Sequence, residues 1–74
     1  MTYLFTRLRD NKQMCFVIEP PDLSDQHDRR RFCKDALNFC RFHGLLNLLP
    51  AEVCIDKGEI MRGGKVVVRF EETR

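Results

Sequence analysis

Apolar and polar positions follow two different periods along this chain, and the longer period marks its central element. From Ser24 to Gly44, SDQHDRRRFCKDALNFCRFHG, a turn of about 100° per residue gathers Phe32, Cys33, Ala36, Leu37, Phe39, Cys40 and His43 into one broad stripe. Arg30, Lys34, Asn38 and Arg41 fall opposite. The pattern predicts an amphipathic helix with one core-facing and one solvated side. Ser24 is placed to cap its free N–H groups, with Asp25 and Asp28 near the positive end of the dipole. Arg41, His43 and Gly44 mark its end. Asp25 with Arg29, and Arg31 with Asp35, are opposite charges four apart, each pair worth about 0.2–0.5 kcal/mol on an exposed helix.

The remainder alternates with the period of two expected of strands. Residues 2 to 9, TYLFTRLR, and 13 to 19, QMCFVIE, flank the polar cluster Asp10, Asn11 and Lys12, which predicts a hairpin. Leu4, Thr6 and Leu8 share one face of the first strand, and Tyr3, Phe5, Arg7 and Arg9 share the other. Pro20 and Pro21 end the second strand. Beyond the helix, LLNLLP is too apolar for an ordinary solvated loop and is expected to plug one end of the core, to form a contact surface, or both. Glu52 to Asp56 reads as a short strand, Lys57-Gly58 as a turn or bulge that can break the strand in two, and Glu59 to Arg62 as its resumption. Gly63-Gly64 then makes a tight turn into Lys65 to Glu71, with Val66, Val68 and Phe70 inward and Val67 outward. Glu71 to Arg74 reads as a frayed polar tail.

The assembled order is ββαββ: an α+β domain covering residues 1–74, with an antiparallel sheet of two hairpins and the helix across one face. A single helix leaves the other sheet face open, and Tyr3, Phe5 or their neighbours are expected there. Homodimerisation is a natural way to cover such a face.

Composition narrows the class. A hydrophobic content of 43% excludes general disorder, and no apolar run approaches the roughly 20 residues of a membrane helix. No charged-then-apolar leader opens the chain, so a cytoplasmic protein without a membrane partner is expected. Cys33 and Cys40 are about 10 Å apart along the helix axis and cannot bridge each other. With Cys15 and Cys54 they read as reduced thiols in apolar segments. The sharper alternative is zinc on Cys33, Cys40, His43 and one strand cysteine, but no C-x-x-C knuckle supports it. No cofactor is expected.

No phosphate-binding glycine loop, G-x-S-x-G elbow or H-E-x-x-H occurs. Cys40 and His43 can be drawn as a nucleophile and base, yet a core thiol and a charge on the helix dipole account for them better. The expected function is therefore non-catalytic: a small binding protein acting through protein–protein contact as a regulator, inhibitor or accessory subunit. Phe5, Phe42, Leu45, Leu46 and Leu48 are the candidate contact residues, Phe42 because it lies off the core stripe beside arginines and leucines. The alternative is a nucleic-acid-binding module using Arg29, Arg30, Lys34 and Arg41 on the helix with Arg62, Lys65 and Arg69 on a hairpin. A net charge of +2, with acids interspersed, does not choose between them.

Overall fold

The computed structural model describes residues 1–73. Five strands, rather than four, form one antiparallel sheet: β1 (Thr2–Arg7), β2 (Lys12–Val17), β3 (Glu52–Cys54), β4 (Glu59–Arg62) and β5 (Lys65–Thr73). The order across it is β2-β1-β5-β4-β3, so the first and last strands meet in the middle. The extra strand arises at Gly58. The chain there does not resume the strand before it but folds back, pairing Val53 with Ile60 in a β3–β4 hairpin. Gly58 has φ 64°, and its carbonyl accepts the Phe70 N–H at 2.8 Å. A Cβ at that position would run into the Phe70 carbonyl, so only glycine lets the turn lie against β5.

β5 is longer than alternation indicated. Glu71, Glu72 and Thr73 are not a frayed tail but pair with Leu4, Tyr3 and Thr2 of β1; Arg74 lies outside the described residues. The β4–β5 register shifts between Ile60, opposite Val68, and Met61, opposite Val66. Val67 is the residue left over, and this bulge turns it against the core instead of outward.

The helix α1 spans Gln26–Phe42, shorter at both ends than the Ser24–Gly44 pattern. Asp25, not Ser24, is the cap: its carboxylate accepts the His27 N–H at 3.1 Å, while the Ser24 hydroxyl donates to Asp22. Neither predicted i,i+4 ion pair forms. Asp28 instead accepts from Arg31 at 2.7 Å, and Arg29 reaches Asp56 after the β3 strand at 3.3 Å. The stripe is otherwise as read: Phe32, Ala36, Phe39 and Cys40 are buried, and Leu37 half-buried.

What the stripe packs on corrects the assignment of sheet faces. Tyr3 and Phe5 lie under the helix, and Leu4, Thr6 and Leu8 belong to the open face. Phe5, fully buried, stacks on Phe70 of β5 at 5.1 Å and meets Phe39 of α1 at 5.5 Å. Tyr3 sits 5.0 Å from Phe32, and Phe16 of β2 sits 4.5 Å from Phe39. Aromatic side chains from three strands and the helix thus close one core, each contributing about 1.5–3 kcal/mol by burial. Phe5 is consequently no part of any surface. Among the described residues no helix is long and apolar enough to cross a membrane.

Candidate functional site

The helix ends against the first hairpin. Arg7 donates to the Gly44 carbonyl at 2.7 Å and Lys12 to the His43 carbonyl at 3.3 Å, placing cations on the negative end of the helix dipole. Gly44, with φ 75°, reverses the chain, and the Leu45 N–H returns to the Cys40 carbonyl at 2.7 Å. That reversal drives Leu45 and Leu46 into the core, 3% and 8% exposed, so neither is a surface contact residue as the sequence suggested.

The second half of the same segment points the other way. Leu48 is 87% exposed and Leu49 59%. They are held out by a fixed backbone rather than by a slack loop. The Asn47 side-chain carbonyl accepts the Leu49 N–H at 3.0 Å. Arg41 donates to the Asn47 and Leu49 carbonyls at 3.3 and 3.1 Å, and Arg62 donates to those of Leu49 and Pro50 at 3.3 and 3.4 Å. Phe42, in the last turn of α1, is 85% exposed and lies in a shallow depression with Cys15, Phe16 and Asn38. Of the five predicted contact residues, Phe42 and Leu48 are therefore on the surface.

Beside the braced loop opens a groove of about 600 Å³, walled by the end of β1, the turn at residues 44–47 and the β4–β5 hairpin. Its floor is apolar, from Leu8, Leu45, Leu46, Val66 and Val67, and its rim carries Arg7, Arg9, Arg62 and Lys65. No carboxylate lines it. Asp10, just outside, holds the Arg7 fork through contacts of 2.9 and 2.5 Å. The Arg7 guanidinium, with the Lys12 N–H and the charge of Arg9, pulls the Asp10 carboxyl down to about 2. Arg9 and Lys65, both exposed, make no side-chain hydrogen bond or ion pair among the described residues.

The period-two pattern puts Arg7 and Arg9 on one face of the first strand and gives no sign that they stand beside Arg62 and Lys65. The missing information was the β1–β5 pairing, which brings the two hairpin ends together.

The predicted nucleic-acid residues separate into different places. Arg29 and Arg30 border a depression at β3, Arg62 and Lys65 the groove, and Arg69 a hollow on the open face. Arg29 is paired with Asp56, Arg69 approaches Glu59 at 3.8 Å, and Arg41 and Arg62 brace the loop. Arg30 and Lys34 are exposed on the helix.

The thiols are likewise spread out. Cys40 is fully buried, and burial pushes its thiol up to about 12, which keeps it protonated at neutral pH. Cys33 is half-buried beside Cys54, its thiol raised mainly by burial, and Cys15 is exposed on β2. Among the described residues no three His, Cys, Asp or Glu side chains come together as a metal site. Comparison with protein-family models, with curated proteins and with solved structures gives no match to this chain.

Proposed function

We propose that the chain is a small intracellular, non-catalytic binding protein that acts through protein–protein contact as a regulator, inhibitor or accessory subunit, and that it self-associates as a homodimer. The observation that carries this reading is the loop at 47–50. Two arginines and an Asn side chain fix its backbone so that Leu48 and Leu49 stand in solvent while Leu45 and Leu46 anchor it from below. A leucine held outward by a fixed backbone loses little further entropy on binding, the condition under which apolar anchors yield affinity. Phe42 supplies an aromatic anchor of the same kind on the helix.

The competing reading, a nucleic-acid-binding module, has Arg30, Lys34 and Lys65 available, and salt separates the two. Contacts to phosphate weaken steeply as salt rises, whereas an apolar contact survives. Light scattering across a concentration series, with a pull-down from host lysate run in low and high salt, tests the proposal. The expected result is a mass twice that of the chain and salt-resistant capture of a protein, both lost in Leu48→Asp with Phe42→Asp. A monomer at every concentration whose captured partners are nucleic acids, released by salt, overturns it.

A further inference from the structure

We propose that the groove between the β1 end, the 44–47 turn and the β4–β5 hairpin is a docking site for an acidic segment of a partner protein that also carries apolar side chains. This rests on the reading of the chain as a protein-binding module and names the chemistry of one partner.

Three observations meet there. At about 600 Å³ the groove has the size of a ligand-binding cleft. Leu8, Val66 and Val67 offer apolar area to a side chain, and the buried Leu45 and Leu46 close the floor beneath them. The groove's rim carries four cations and no carboxylate: Asp10 answers Arg7 from just outside, while Arg9 and Lys65 have no acid within 4 Å among the described residues.

The cations divide by role. Arg7 is committed to Asp10 and the Gly44 carbonyl, and Arg62 to the carbonyls of Leu49 and Pro50; these shape the walls. Arg9 and Lys65 have no acceptor among the described residues and are the groups left to receive carboxylates. They stand on separate hairpins that the β1–β5 pairing brings to one end of the sheet. A nucleic-acid backbone also offers negative charge, but it has no apolar side chain for the floor. A partner segment with both acidic and aliphatic residues fits both parts of the groove at once.

The test is titration of isotope-labelled protein, followed by amide NMR shifts, with the synthetic peptide acetyl-Glu-Leu-Glu-Glu-Leu-Glu-amide. Saturable shifts at Leu8, Asn47, Val66 and Val67 are expected, with none from the peptide carrying lysine for glutamate. The Arg9→Glu, Lys65→Glu double variant should keep the wild-type melting curve and bind about tenfold more weakly or worse. Shifts confined to Phe42 and Leu48 overturn the groove as the site while leaving protein contact as the function. Equal response to the lysine peptide, or no response, overturns it as well. Inorganic phosphate or a thymidine oligonucleotide moving the same amides while the acidic peptide does not reassigns the groove to phosphate and ends the proposal.

Discussion

The two faces of the sheet are built from the same strands, residue by alternate residue, yet they have different fates. On the helix side Phe5 of β1 has Met14 and Phe70 as its cross-strand partners, Tyr3 has Phe16, and Val68 has Ile60, so large apolar groups meet across each ladder. On the open side Leu4 has Cys15 and Glu71, and Thr6 has Gln13 and Arg69. Taken alone, β1 is apolar on both faces. What decides which face the helix covers is the neighbouring strands, since cross-strand pairs are the unit of sheet stability. A face becomes core when aromatic side chains line up across several strands.

The comparison is broken most directly at β1. Phe5→Ala should cost about 3–5 kcal/mol, a loss that leaves a small domain with little or no folded population. Leu4→Ala, one residue away on the open face, should cost about 1 kcal/mol, since its side chain is only half covered. Urea unfolding of the two variants measures the difference. Equal losses would show that the open face is as much a core as the covered one.

Gly58→Ala should have the next largest effect, about 2 kcal/mol or more, because a side chain there meets both a left-handed backbone and the Phe70 carbonyl. Glycine hairpins further out provide the contrast. At Gly63 nothing lies within reach of an added Cβ, so Gly63→Ala carries the left-handed penalty alone, about 1 kcal/mol. A smaller loss at Gly58 than at Gly63 would mean that the β3–β4 hairpin does not lie against β5 as described.

Smaller still is the expected effect on stability of Leu48→Asp and Phe42→Asp, each within about 0.5 kcal/mol, since both side chains are almost wholly in solvent. Thermal melts of the two variants check this. A loss comparable to that of Leu4→Ala would assign the side chains to packing rather than to contact with a partner.

How much of this was legible follows from range. The helix, its stripe and the hairpin at Asp10–Lys12 depend on local periodicity and turn chemistry, and all three are in place. The face of β1 was misread because Tyr3 and Phe5 resemble Leu4 and Leu8 until Phe16 and Phe70 are set beside them, and that requires the strand order. At Lys57-Gly58 the sequence leaves a turn and a bulge both open, because a lone glycine marks a bulge and a reversal equally well. Leu45 and Leu46 differ from Leu48 and Leu49 only through the chain reversal at Gly44 and the two arginine braces, which sequence spacing does not reveal. The groove needed the pairing of the first strand with the last, the longest-range contact in the molecule.

The final contrast is between the core and the groove end in their response to acid. In the core, burial pushes the Tyr3 hydroxyl and the Cys40 thiol up, away from neutral pH, whereas the groove end is organised by a carboxylate. Asp10 is held from 3.8 down to about 2, first by the Arg7 hydrogen bonds and then by the Lys12 N–H and nearby charge. Its folded value lies below its unfolded one, so the pair contributes stability that is present above pH 3.8 and is lost as pH falls from there through about 2. The carboxylate is solvent-exposed, so this is the smallest effect in the series. Unfolding of wild type and Asp10→Asn should differ by a constant amount above about pH 5 and converge between about pH 4 and pH 2. The same substitution releases the Arg7 fork toward the groove, so acidic-peptide binding should strengthen as stability falls. If the stability difference were unchanged down to pH 2, or if binding weakened, Asp10 would not be the residue that keeps the Arg7 fork from a ligand in the groove.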